Sequence, residues 1–442
     1  MVPVLSRVAV RKLLLGIDVG SSSTKATLVD AMNGVEFASV SLAGPFVTRD
    51  GRTEATVASL LDVLRRVLRG LGDDGLSRVV GVGIAGVAES GAAVAADGTA
   101  LAPIIAWHDR RGEAVAERLT AGFGDDLDRS IGQRLRYVST VAKLGWLVEH
   151  GLGHAPAGWR WLGVPELVLR TLTGAEATEW SLAARTGCFD VGRREWLPDV
   201  ARAAGFGVDV FPQVMAAGDV MGRVTEAASA WSGLPSGGPV TVAGHDHLVG
   251  FVGCGAGVDD LVDSVGTAET VVGRSAALPH VDSALAAGLA VGLFPGGDGW
   301  ATSASAARSG QAVDAAAANL GRPPAELDAL ASGGVVLQAP GLVDSLRRRQ
   351  PPALPDGDVA DVWATLLDAL AAETAAAVAK VTSVIGHRRS LVVFGGGSVS
   401  DPLLAAKRRH VPIPVERSPV TDAVAKGAAH FAATAAGLLP NW

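Results

Sequence analysis

An aspartate followed by a glycine- and serine-rich turn is the first place where this chain could do chemistry. Asp18 ends an apolar run, LLLGID, and Gly20, Ser21, Ser22, Ser23 and then Lys25 follow. An aspartate at a strand end can hold a divalent metal or its waters. Gly20 lets backbone pass close to an anion, and the three serines offer N–H and O–H donors to phosphate oxygens. The loop matches neither GxGxxG nor GxxxxGK[ST], and on its own a structural turn is the plainer reading. A second acid, Asp246, stands in Gly244-His245-Asp246-His247. It reads as a helix-capping acid or as a base or ligand. His245 and His247 suggest a metal pair, but histidines two apart on a loop ordinarily lack a third ligand, so no such site is expected. Gly395-Gly396-Gly397 marks a turn. Lys25 is expected to snorkel or to pair with an acid.

The elements that must position these residues follow from apolar periodicity. Residues 13–18, 25–30 and 35–42 read as strands, the last two joined at Asn33-Gly34. Val57, Leu60, Leu61, Leu64 and Leu68 form one helical stripe, which Gly70 closes, and 79–84 is a strand. This β-β-β-α-β order is an α/β pattern with an antiparallel hairpin joined to a partly parallel sheet. A helix lies within 134–150, and Pro165 opens another that Gly174 ends. In the second half, 240–243, 261–264, 270–272 and 391–394 read as strands. Helices are expected at 359–384, from Asp401-Pro402, and at 421–436. Gly427 inside that last helix costs about 1 kcal/mol against alanine, which implies that something approaches closely. Asp18 and Asp246 each read as the end of the first strand of similar series half a chain apart. Two such halves face to face would form a cleft with both acids at its floor.

Composition narrows the class. The chain has 442 residues, enough for two or three domains with substantial cores. Lys and Arg number 38 against 45 Asp and Glu, a net charge of −7 that argues against a nucleic-acid surface. The two cysteines, Cys188 and Cys254, have no metal-ligand spacing and read as buried thiols in a reducing compartment. No run reaches eighteen uninterrupted apolar residues, so no membrane partner is expected. The expectation is a cytoplasmic protein, with the residues before Leu13 as an appended leader.

With these residues in place, the chain resembles the FGGY carbohydrate kinases, such as xylulokinase, gluconokinase and glycerol kinase. The likeness runs through nearly the whole chain from Leu13. It implies a two-domain actin-like ATPase (ribonuclease H-like) fold, with residues 12–242 as one domain and 243–442 as the other. ATP and sugar would bind in the interdomain cleft. GIDVGSSSTK resembles the first phosphate motif, which implies Mg²⁺ near Asp18 and phosphates facing Gly20, Ser21, Ser22 and Ser23. VGIAGVAESG and IIAWHDRRG resemble the sugar-binding segments and imply Glu89, Trp107 and Asp109 at the sugar. KLGWLVEH matches the end of the family's first signature, whose start departs at Val138. TVAGHDH resembles the segment with the catalytic base, here Asp246. DSVGTAET implies Gly266 and Thr267 at phosphate, and VVFGGGSVSD implies Gly396, Gly397 and Ser398 along the nucleotide. The second signature survives only as VWATLLDALAAE. The implied activity is ATP-dependent phosphorylation of a hydroxyl of a small sugar (a ketose or pentulose) or polyol, releasing ADP. A sugar acid is disfavoured if Glu89 and Asp109 both face it. A homodimer is left open. The competing reading is an actin-like ATP-binding module without a sugar substrate.

Overall fold

Two sheets with the same strand order carry the chain. The computed structural model describes residues 11–442 apart from 156, 308, 332, 349 and 441. Most of the expected leader, residues 1–10, lies outside the described residues.

The first sheet contains β1 (Leu13–Val19), β2 (Ser23–Asp30), β3 (Glu36–Ala43), β4 (Val79–Gly86) and β5 (Pro239–His245). Its order is β5-β4-β1-β2-β3, with a two-residue edge strand beyond β5. β1, β2 and β3 are antiparallel neighbours, whereas β4 and β5 run parallel to β1. The second sheet contains β6 (Asp260–Val265), β7 (Glu269–Ser275), β8 (Ala290–Leu293), β9 (Trp300–Ser305), β10 (Ser390–Phe394) and β11 (Val415–Arg417). It is ordered β8-β9-β7-β6-β10-β11: the antiparallel trio β9-β7-β6 and the two parallel strands recur, and β8 adds a further antiparallel strand at the edge.

The repeat is real, but its anchor differs from the expected one. β5 pairs with β4, Val240 opposite Val82, so Asp246 follows the fifth strand of the first sheet rather than the first strand of the second. The counterpart of β1 is β6. Two short strands at 47–49 and 52–55, unforeseen in the sequence, start a small five-stranded sheet whose other members lie at 91–94, 104–105 and 160–163.

Helix α1 (Val57–Leu71) begins with a capping box between Thr56 and Ser59 and buries Leu60, Leu64, Val67 and Leu68. It runs through Gly70 and stops at Gly72, whose φ of 79° breaks the helix. Helix α2 (Asp246–Gly253) leaves β5, α3 (Val359–Ile385) fills the second lobe, α4 (Asp401–His410) follows β10, and α5 (Ala423–Ala435) ends the chain. By length and composition alone α3 could cross a membrane. It buries Trp363, Leu366, Leu370 and Val381 among the side chains of the second core.

The expected boundary at 242/243 cuts through β5 and misplaces α5. This last helix lies on the first sheet, with Ala429, Ala432 and Ala433 packed against Leu14 and Val29. A Cβ on Gly16 would stand 1.8 Å from the Ala425 carbonyl oxygen, and one on Gly83 1.9 Å from that of Ala428. Glycine in β1 and β4 thus lets the helix backbone sit directly on the strands. α5 also crosses α2 closely, since a Cβ on Gly427 would stand 2.1 Å from the Val249 oxygen. That is the close approach which a glycine inside a helix implied.

Candidate active site

The strand register brings the two acids together. Asp18 of β1 lies opposite Ala85 of β4, and Ala85 opposite Gly244 of β5. Asp18 and Asp246 therefore stand at the same carboxyl edge of the first sheet, with β4 between their strands. They do not come from opposite lobes. Both line a cleft of about 1440 Å³ between the sheets.

The second lobe supplies a hairpin turn instead. The β1–β2 turn and its counterpart between β6 and β7 meet tip to tip, with Ser22 Oγ 2.7 Å from Thr267 Oγ1. Gly20, Ser21, Ser22, Ser23, Gly266, Thr267, Gly396 and Gly397 all line the cleft. The triple glycine forms a short 3₁₀ turn after β10. Ser398 is not on the cleft wall; its hydroxyl donates to the Gly395 carbonyl at 2.7 Å and closes that turn.

Glu89 and Trp107 line the other end. Glu89 sits in the left-handed region with φ 59°, a strained backbone that its surroundings must hold. Arg185 contacts its Oε1 through Nε at 2.7 Å and a terminal nitrogen at 2.5 Å, and reaches Gln133 Oε1 at 2.5 Å. Asp109 does not line the cleft. It is 3 % exposed and accepts from the Thr53 amide at 2.8 Å and from Arg111 Nε at 2.9 Å. Arg134, Arg136 and Arg185 line the wall that the sequence assigned to carboxylates. Behind it, Lys143 is fully buried and donates to the Tyr137 and Val138 carbonyls; burial pulls its ammonium down to about 7 against the pull of Glu89 and Asp109.

Asp246 is held through its backbone. His245 N donates to Ser181 Oγ at 2.9 Å, Ser181 donates to Glu179 Oε2 at 2.5 Å, and Glu179 Oε1 accepts from the Gly296 amide of the second lobe at 2.8 Å. No sequence pattern marks this chain of contacts, because its members lie 64 and 117 residues apart. Burial pushes the Asp246 carboxyl up to about 7, with its bond from His247 N opposing and the Glu89 charge adding. Burial and then Asp246 push Asp18 up to about 8, with Lys25 opposing. Lys25 pairs with Asp422 at 3.0 Å, as one of its two expected roles required.

Asp18 Oδ1 is buried with no hydrogen-bond partner among the described residues. A buried carboxylate oxygen on a cleft floor beside phosphate-type donors fits a hard divalent ion or its waters.

Two lobes with matching sheets and a shared cleft define the actin-like ATPase fold. Solved structures agree on that fold. A xylulose kinase from Rhodospirillum rubrum superposes with TM-score 0.78 at 23% identity, covering 96% of this chain and 91% of that one. A glycerol kinase with ADP from Plasmodium falciparum superposes with TM-score 0.80 at 17% identity, covering 96% and 89%. The model of the N-terminal domain of the FGGY family of carbohydrate kinases matches residues 13–253, and the chain belongs to that family. An L-fuculokinase of Escherichia coli K12 is 28% identical over 290 residues, 62% of this chain and 58% of the relative's length.

Proposed function

We propose that the protein transfers the γ-phosphoryl group of ATP to a hydroxyl of a small sugar or polyol held beside Glu89 and Trp107. The observation that carries this reading is the gathering of Asp246, Glu89, Trp107, both hairpin turns and Gly396-Gly397 around one cleft.

Asp246 is the general base. A sugar hydroxyl is far too weak an acid to ionise at neutral pH, so its proton must pass to a neighbouring group as the oxygen attacks phosphorus. A carboxylate poised near pH 7 suits that transfer, a contribution typically of ~10²–10⁴-fold. Ser21, Ser22 and Thr267 donate to phosphate oxygens, and Gly396 and Gly397 let the nucleotide lie close to backbone. Asp18 would hold Mg²⁺, directly or through water, and that ion would neutralise charge on the transferring phosphoryl group. Lobe closure on bound sugar keeps water from attacking ATP. ATP use fits a cytoplasmic location.

Asp109 is off the wall and Glu89 is paired with Arg185, so repulsion by two carboxylates no longer argues against a sugar acid. The substrate panel therefore includes ketoses, pentuloses, polyols and aldonates. ADP release should rise with at least one of them. Asp246→Asn should lose turnover by ~10²-fold or more while keeping nucleotide affinity. Slow hydrolysis that ignores every sugar, and is unchanged in Asp246→Asn, would favour the ATP-binding module instead.

A further inference from the structure

We propose that His245, Asp246 and His247 form a binding site for Zn²⁺ or a similar imidazole-seeking divalent ion, which silences the base. The sequence argued against a histidine pair for want of a third ligand. The structure supplies one in the acid between them.

His245 Nε2 lies 3.3 Å from Asp246 Oδ1, and His247 Nε2 lies 4.0 Å from the same oxygen. One ligand atom from each of the three residues falls within 4.8 Å of the others. Zinc bonds of about 2.0–2.1 Å at tetrahedral angles need ligand atoms roughly 3.3 Å apart, so His245 and Asp246 already stand at that spacing and His247 must swing inward to complete three corners. The His247 ring is oriented from behind. Ser264 Oγ lies 2.8 Å from His247 Nδ1, so an Nδ1 proton donated to that hydroxyl leaves the Nε2 lone pair facing the acid. The His245 backbone is fixed by Ser181. All three side chains are sheltered but open to the cleft, and the fourth position would take water.

Donor type separates this site from Asp18. Two imidazoles select a borderline ion, whereas Mg²⁺ keeps to oxygen. A cation on Asp246 Oδ1 draws charge from the whole carboxylate and so weakens it as an acceptor of the sugar proton. The inhibitory consequence rests on the proposed kinase reading; the binding does not.

The full chain, stripped of metal by chelator, is titrated with Co²⁺ and read by its visible d–d absorption. One four-coordinate ion per chain is expected. His245→Gln and His247→Gln should each weaken binding at least tenfold, and Ser264→Ala by about tenfold. Asp18→Asn should weaken it less than either histidine change does, and circular dichroism confirms that each variant is folded. Zn²⁺ should then inhibit phosphorylation of the best sugar, reversed by chelator, and inhibit His247→Gln less. Binding weaker than ~1 mM, or binding that survives loss of both histidines, overturns the site. Tight Co²⁺ binding in a protein that phosphorylates no sugar would uphold the site and reject the kinase reading.

Discussion

Asp246 and Asp18 set the pH behaviour at the scale of single residues. A base works ionised, and burial holds Asp246 near 7. Turnover per substrate concentration should therefore climb through about pH 7, where an ordinary aspartate would have finished climbing near 4. A pH–rate profile with its acid limb near 4 would show that the base is not held up by burial, and a limb unmoved in Asp246→Glu would remove Asp246 as the base. Stability runs the other way. Both folded pKa values stand above the unfolded value of about 3.9, so the protonated forms favour the fold. Their contribution is full below pH ~4 and is lost as pH rises through 7 and 8. Asp18→Asn should raise the denaturation midpoint of the ligand-free protein at pH 8.5, less so at pH 5, while weakening Mg-nucleotide binding. The cleft acids, serines and glycines were legible in the sequence because each sits at an element end. Asp109 was not, because its role is set by the Thr53 amide, which a small unforeseen sheet brings to it. Arg185 was missed because its partner Glu89 lies 96 residues away.

Between elements, small side chains and buried polar contacts set the geometry. Gly83→Ala places a methyl against the α5 backbone and should cost about 3 kcal/mol or more in urea unfolding. Gly122→Ala is the control. It lies in a helix with open space around it, and should gain up to about 1 kcal/mol. The Glu179–Ser181 contact acts on the junction of β5 and α2. Ser181→Ala removes the acceptor for His245 N and should lower kcat by about 10- to 100-fold with little change in the KM for ATP. Ser181→Thr, which keeps the hydroxyl, should recover most of it; equal losses in both variants would exclude positioning through that oxygen. Strands and helices were largely readable from period and turn residues. Which strand belonged to which sheet was not, since β5 looks alike as the fifth strand of one sheet or the first of another until its pairing with β4 is known.

Across the whole molecule, the lobes are not separable by cutting the chain once. The family's N-terminal domain match ends at residue 253, yet the first sheet is covered by a helix at 423–435. A fragment of residues 11–255 should aggregate or stay partly unfolded, and adding residues 420–442 through a flexible linker should restore cooperative melting. A fragment that melts cooperatively without that helix would show that the first lobe needs no help from the second half.

The same arrangement constrains how a cell can make this protein. A ribosome finishes strand β4 roughly 350 residues before it finishes α5. At ~10 residues per second, that leaves a glycine-lined furrow bare for about half a minute of translation. The nascent first half must wait, shielded by chaperones or by its own transient contacts, for the last stretch of message to be read.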